Sequence, residues 1–301
     1  MLRNPIKWPN GAKCACAITF DMDADSLIHL ARPKNSHDRL YPISMGRYGP
    51  DVAVPRILDT YRRLGLKQSF FVPGWCVEQY PAAVESMLEQ GHEVGHHGYL
   101  HEDPLTHSYE QQAEWFGKAM DAHKRVVGNT PRGYRAPVYN INQGVLDLLL
   151  EYDFQYDSSM MGDDIPYMLD IRGHHLMEMP VHWGTDDWPP FAHFDEIGYM
   201  MPVKSPSSGL QGFWEEFEAH YEVGGFWHCI WHPFLTGRLA RWKQVEKWLE
   251  STLENYDVWF ASLGEIAAYV RSVQEEDSGS VRVDKLPYYE LPPASRATDF
   301  S

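Results

Sequence analysis

Basic residues are scarce in this 301-residue chain: 26 Lys and Arg stand against 42 Asp and Glu, a formal net charge of −16. Binding nucleic acid or an anionic membrane surface requires clustered Lys and Arg to neutralise phosphates, so neither partner is expected. Long apolar runs are missing too. No segment reaches the roughly 20 apolar residues of a membrane-crossing helix. The opening MLRNPIKWPNGAKCACAITF meets two prolines and Asn10-Gly11 before any apolar run, so it lacks the core of a secretory signal, and a cytoplasmic location is expected. Cysteine is sparse. Cys14, Cys16, Cys76 and Cys229 sit in apolar surroundings at spacings that suit neither a zinc knuckle nor a disulfide framework, which predicts buried free thiols. No internal repeat is visible.

What is present describes an ordinary globular protein, with 44% hydrophobic and 23% charged residues. A chain of this length buries about three-quarters of its unfolded surface, enough for a large core. Apolar runs predict strands at 14–21, 68–72, 154–157, 176–183, 225–232 and 258–261, with an extended piece at 132–137. Between them, helical spacing falls at 52–66, 81–90, 109–127, 144–152 and 239–253. Two stretches, 23–49 and 188–209, carry enough Pro, Gly and Ser to read as long loops, the first as a lid or an oligomer arm. Residues 1–273 form the expected catalytic domain, and 274–301 an extended tail or arm.

Alternating strands and helices predict an α/β protein with a mainly parallel sheet, and about seven such units favour a barrel over an open sheet. In a parallel barrel the carboxyl ends of the strands form one face, where active sites sit. Asp21 and Asp23, His97 and His101, Arg135, the Trp183–Trp188 stretch and His232 all fall at or just after such ends.

The densest chemistry lies in Gly91-His92-Glu93-Val94-Gly95-His96-His97-Gly98-Tyr99-Leu100-His101-Glu102-Asp103-Pro104, which holds four histidines beside carboxylates. A catalytic zinc takes three nitrogen or oxygen donors and keeps one position open. Asp23, His97 and His101 would meet that need, but His92 and His96 are also four apart, so spacing leaves both pairs open. Asp21 and Asp23, two apart on a strand end, point the same way, so one could hold a metal while the other serves as a base.

Thr19-Phe20-Asp21-Met22-Asp23, then Gly91 to His97 with His101, then Arg135-Ala136-Pro137, then Trp231-His232-Pro233 resemble, in order, the motifs of the NodB-type polysaccharide deacetylases, carbohydrate esterase family four. The resemblance implies a distorted (β/α) barrel and metal-dependent hydrolysis of a carbon–nitrogen bond. It implies Asp21 as catalytic base, Asp23, His97 and His101 as ligands of Zn2+ or another divalent metal, Arg135 as the arginine holding the base, and His232 as the acid that protonates the departing nitrogen. His96 then takes the place of a non-ligand neighbour.

The chain departs from the family pattern at Val138, where an aromatic is usual, and at Pro233, where an acid is common. Asp186 and Asp187, within Trp183-Gly184-Thr185-Asp186-Asp187-Trp188-Pro189, are candidates for the acidic partner of His232, the alternative being a plain acidic turn. With the 23–49 insertion, these departures resemble an intracellular subgroup that includes cyclic imide hydrolases and atypical peptidoglycan deacetylases. The expected substrate is a small amide or cyclic imide, with an N-acetylated glycan as the alternative. An inactive, metal-stabilised sugar-binding module would show decay at Asp21 or His232, and both are intact. The aromatics Tyr48, Trp75, Tyr99, Tyr139, Trp183, Trp188 and Phe191 are available to close a pocket, with Tyr139, Trp183, Asp186, Asp187 and Trp188 the expected substrate contacts. The long arms predict a homo-oligomer, dimer or tetramer.

Overall fold

The computed structural model describes residue 2 and residues 4–289. Its centre is a fully buried strand, β1 (Cys14–Asp21). After it come α1 (Ser26–Ala31), α2 (Leu40–Tyr48), α3 (Val54–Leu64), β2 (Ser69–Val72), α4 (Gly74–Gln79), α5 (Pro81–Glu89), β3 (Glu93–His96) and α6 (Tyr109–Val127). The chain continues through β4 (Gly133–Tyr134), α7 (Gln143–Glu151), β5 (Tyr156–Asp157), β6 (Tyr167–Ile171), β7 (His174–Glu178), α8 (Trp188–Phe191) and α9 (Pro206–Val223). It ends with β8 (Phe226–Trp231), α10 (Leu239–Asn255), β9 (Val258–Phe260), α11 (Leu263–Glu276) and β10 (Val283–Leu286).

The strands form one sheet in the order β10-β6-β7-β5-β4-β3-β2-β1-β8, with β9 against the start of β1. The fold is therefore α/β, and the run from β7 to β8 is seven parallel strands; one of them, β3, falls in the histidine stretch where no strand is expected, and the strand expected at 258–261 is β9, outside this run. The remaining three are β6, antiparallel to β7, together with β10 and β9. Among the described residues no pairing joins β10 to β8, so the ladder is open at that seam.

Period-two alternation divides β1. Cys14, Cys16, Ile18 and Phe20 belong to the larger apolar cluster, with Leu58, Tyr61, Trp227, Trp231 and Trp242. Ala15 and Ala17 belong to a second cluster with Phe71, Tyr156, Met177 and Phe226, and the same face continues upward through Thr19 to Asp21. This interior face thus turns from apolar to ionisable at the carboxyl ends of the strands. The four cysteines are buried and free, with the Cys14 and Cys16 sulfurs 4.0 Å apart.

Several expected loops are structured. The 23–49 stretch holds α1 and α2 rather than an irregular arm. Its Pro42 lies in the first turn of α2, where no intrahelical N–H is needed. Its Gly46 is demanded by packing, since a Cβ there would stand 2.5 Å from the Ala24 carbonyl oxygen. Likewise, the end of the 188–209 stretch begins α9, capped by Ser205 with Pro206 at the first position. The strand expected at 176–183 is β7, which starts at His174 after a hairpin turn at Arg172-Gly173, both with positive φ, and stops at Glu178 opposite Tyr167, the first residue of β6. The tail expected from 274 is a helix end followed by β10, paired in parallel with β6. Its last part, 290–301, lies outside the described residues.

Candidate active site

The carboxyl ends of β1, β3, β4, β5 and β8 bring Asp21, His97, Arg135, Ser158 and His232 together, with Asp21, His97 and His232 lining one cavity and Arg135 and Ser158 buried beneath it. Arg135 is fully buried. Its Nη1 donates to Asp21 Oδ1 at 2.6 Å and to Thr19 Oγ1 at 2.9 Å, and its guanidinium stacks 4.2 Å from the Phe71 ring. One carboxylate oxygen of Asp21 is thereby fixed. The other, Oδ2, lies 3.7 Å from His97 Nε2 and faces the cavity.

The two histidine pairs have different surroundings. His92 Nδ1 accepts from the Gln68 N–H at 3.1 Å, and the ring sits 5.5 Å from both Tyr61 and Phe70. His96 uses both nitrogens: Nδ1 accepts from Gly98 N–H at 3.2 Å and Nε2 donates to the Phe116 carbonyl at 3.3 Å. His97 Nδ1 donates to the Arg135 carbonyl at 2.7 Å, which leaves Nε2 as a lone-pair donor 3.4 Å from Asp23 Oδ1. His101 Nε2 lies 3.6 Å from Asp23 Oδ2, and His101 reaches it from a left-handed backbone with φ of 64°.

Both oxygens of Asp23 are buried with no hydrogen-bond partner. A buried carboxylate left in that state costs several kcal/mol, and a cation removes the deficit. The ligand atoms of Asp23, His97 and His101 lie within 4.8 Å of one another. Burial lowers the His97 pKa to about 3, with the Asp23 charge opposing, so its imidazole is neutral and available. Two imidazoles and a carboxylate suit zinc or another divalent metal, and these residues fit one.

Across the cavity, His232 Nε2 is 3.5 Å from Asp23 Oδ2, while its Nδ1 donates to Asp187 Oδ1 at 2.7 Å. Asp187 also accepts from the His232 N–H, from the Thr236 N–H at 3.1 Å and from the Thr236 hydroxyl at 2.5 Å. It stands beside His232 because residue 186 forms an isolated bridge with Ile230 of β8. Burial alone would lower the His232 pKa, but the Asp187 charge and hydrogen bond, aided by Asp23 and Asp186, raise it to about 10. Asp186 is spent differently: it accepts from the Tyr139 hydroxyl and from the Trp188 N–H at 2.7 Å. Burial raises its pKa to about 6, with the His232 charge opposing.

The cavity above these groups has a volume of about 310 Å³. Of the expected substrate contacts, Tyr139, Trp183, Asp186 and Trp188 line it. Asp187 does not, because it is wholly buried behind His232. Nor do four of the aromatics: Tyr48 lies under Arg238, Trp75 beside His29, Phe191 under Arg241, and Tyr99 bonds Glu78. Composition gave no hint of the opposite wall, where Leu27, Leu30 and Ala31 of α1 face Ile197. Arg32 and Arg39 both donate to Glu196 and tie the two sides together, at 2.9 and 3.1 Å. Val138 and Tyr139 carry φ of 49° and 60°, a left-handed pair beside the floor.

A parallel α/β sheet carrying a buried cluster of acids and histidines at its strand ends, three of them able to hold a metal, suits metal-assisted hydrolysis. Comparison with known proteins makes this specific. The polysaccharide deacetylase family model matches residues 48–156. A solved chain from Mycobacterium smegmatis, assigned to the polysaccharide deacetylases, is 33% identical with a TM-score of 0.89, over 97% of this chain and 99% of that one. A peptidoglycan deacetylase of Helicobacter pylori is 27% identical over 83% of this chain and 94% of its own length. A peptidoglycan deacetylase-like protein of Gibberella zeae is 32% identical over 66% of each. A solved allantoinase, 20% identical with a TM-score of 0.76, shares the fold. The chain belongs to the NodB-type polysaccharide deacetylases, carbohydrate esterase family four, and is a hydrolase of carbon–nitrogen bonds other than peptide bonds. Members of that family generally depend on a divalent metal, and Asp23, His97 and His101 form a group able to hold one.

Proposed function

We propose that this enzyme hydrolyses a small, uncharged amide or cyclic imide, with Asp21 as general base and His232 as general acid. The observation that carries this reading is the cavity. At about 310 Å³ it lies at the small end of ligand pockets and has room for one ring. Its walls are mostly apolar, and its lining holds four aspartates and no Lys or Arg, which disfavours an anionic substrate.

A divalent ion, taken as zinc, would be held by Asp23, His97 and His101 and would polarise the carbonyl and acidify water. Asp21 Oδ2 takes the proton as the water oxygen bonds to the carbonyl carbon, while Arg135 keeps Oδ1 in place. His232 Nε2 delivers its proton to the nitrogen as the carbon–nitrogen bond breaks, and Asp187 stabilises the ring in its charged form beforehand. The products are a carboxylic acid and an amine, or an open-chain amide acid from an imide.

A second reading, N-deacetylation of a glycan, is supported by the relatives named as peptidoglycan deacetylases. Half-exposed Trp183, at the rim and 5.0 Å from the Tyr139 ring, would be its sugar platform. The test compares ring opening of simple cyclic imides with acetate release from N-acetylated glycan oligomers, after chelation and zinc restoration. Faster acetate release from oligomers would sink the first reading, and activity surviving in both Asp21→Asn and His232→Ala would sink the proposed roles. The same reading takes the enzyme as cytoplasmic and homo-oligomeric, a dimer or tetramer, which fractionation and light scattering check.

A further inference from the structure

The interior face of β8 carries a second histidine, His228, four residues before His232 and on the same side of the strand. It is 4% exposed and does not line the cavity, so it cannot touch a substrate there. Its Nε2 lies 3.0 Å from Arg135 Nη2 and 3.2 Å from Thr19 Oγ1, whose hydroxyl hydrogen goes to the Cys229 carbonyl at 2.9 Å.

All five N–H groups of this buried guanidinium are committed. Nε donates to the Ser158 carbonyl at 3.1 Å, and Nη1 donates to Thr19 Oγ1 and Asp21 Oδ1. Nη2 donates to Ser158 Oγ at 2.9 Å and faces His228 Nε2 at 3.0 Å. A guanidinium has only donors, so the His228 Nε2 must present its lone pair. The ring proton is then on Nδ1, which lies 3.0 Å from the Pro180 carbonyl, an atom that can only accept. The Arg135 and Pro180 contacts demand the same tautomer, and they are shorter than the 3.2 Å to Thr19 Oγ1. Burial, followed by the Arg135 charge, holds the His228 pKa well below its ordinary value.

We infer that His228, as its neutral Nδ1–H tautomer, is a positioning residue that locks the Arg135 guanidinium and, through it, the Asp21 carboxylate. The inference rests on the reading of Asp21 as base. Without the Nε2 acceptor one buried Arg135 N–H has no partner, a costly state that favours rotation of the guanidinium. Rotation would also break the Thr19 and Asp21 bonds, since the planar fork moves as a unit. Ser158 would remain, but it holds the opposite edge.

The test has two arms. In the first, nitrogen-15 spectra of histidine-labelled wild type, with the His228 signals assigned as those absent from His228→Gln, should show the neutral Nδ1–H tautomer. A cationic ring or the Nε2–H tautomer in the wild type would overturn the inference. This arm uses no substrate, so it stands even if both activities of the proposed function fail. In the second, turnover of succinimide and of an N-acetylglucosamine tetramer is measured in His228→Leu and His228→Gln. Loss of an outer partner of this kind typically costs about 10–100-fold. We expect that loss in kcat for His228→Leu, with KM and bound zinc unchanged, and recovery of most of it in His228→Gln, whose amide oxygen restores an acceptor. Equal damage in both variants, or none in His228→Leu, would overturn the inference. If His228→Leu does not fold, the first arm decides it.

Discussion

His92 and His96 are four residues apart, as are His97 and His101, yet the fold treats the pairs in opposite ways. His96 has both ring nitrogens bonded to backbone groups and lies against Phe116, while His92 is bonded to Gln68 and set between aromatic rings. His97 commits one nitrogen to the Arg135 carbonyl and turns the other toward Asp23. The same contrast divides the aspartates. Asp187 accepts bonds from His232 and Thr236, whereas neither oxygen of Asp23 accepts any. Tyr61 and Trp231 also bury a polar atom without a partner, but Asp23 is a carboxylate with both oxygens unpartnered beside two imidazoles, and that combination is what a cation would complete.

The sharpest way to break this comparison is to truncate one member of each pair. His97→Ala is expected to abolish zinc binding and reduce turnover by more than about 10³-fold, since without the metal neither carbonyl polarisation nor the lowered pKa of the attacking water remains. His96→Ala is expected to keep zinc, at the cost of stability, because it removes a buried ring and two hydrogen bonds. Metal analysis and thermal unfolding of both variants decide it. Zinc lost from His96→Ala, or retained by His97→Ala, would reverse the assignment.

Among the aspartates the next largest effect is expected at Asp187. Asp187→Asn keeps the shape but removes the charge that raises the His232 pKa, so the acid should weaken while zinc stays bound. A fall of about 10²-fold in kcat is expected, the lower end of what a positioned acid supplies. The loss should be smallest for substrates with the most acidic leaving groups. A uniform loss across leaving groups would mean that Asp187 only supports the backbone at Thr236 and His232.

How much of this was legible in the sequence depended on whether a residue's role was local. The alternation of strands and helices, the strand ends and the four family motifs were readable because each is carried by a short run. Asp187 as the partner of His232 was only one of two possibilities, since the bridge that selects it joins residues far apart in sequence. The helices α2 and α9 were hidden by Pro42, Gly46 and Pro206, residues that break helices in the interior but not in the first turn or at a packing contact. The parallel pairing of β10 with β6 could not be seen in a short polar segment. His228 did carry a signal, its spacing from His232 on one strand face.

Gly46 tests how firmly the unsatisfied carboxylate is held from outside the sheet. A Cβ at this position would lie 2.5 Å from Ala24 O and 2.7 Å from Asp25 Cα, in the backbone that follows Asp23. Gly46→Ala is expected to destabilise the fold by roughly 1–3 kcal/mol, the usual range for overpacking, and to weaken zinc binding because Asp23 moves with that backbone. His96→Ala, by comparison, should lower stability without weakening zinc. A stable Gly46→Ala with wild-type zinc affinity would show that α2 merely rests on the site.

The smallest effect is expected at the clamp over the cavity. Glu196 receives Arg32 and Arg39, whose side chains are 43% and 38% exposed, so solvent screens the pairs and their removal should leave the melting temperature almost unchanged. Their geometric role is separate from their strength, because they tie the segment carrying Ile197 to α1, which supplies the facing wall of Leu27, Leu30 and Ala31. Glu196→Gln should therefore raise KM for a small imide a few-fold while kcat and bound zinc stay constant. The same variant should improve the relative turnover of a glycan oligomer, which an untied wall admits more readily. A change in kcat instead of KM would mean that this clamp reaches the acid and the base, and that the division between satisfied and available groups does not stop at the cavity floor.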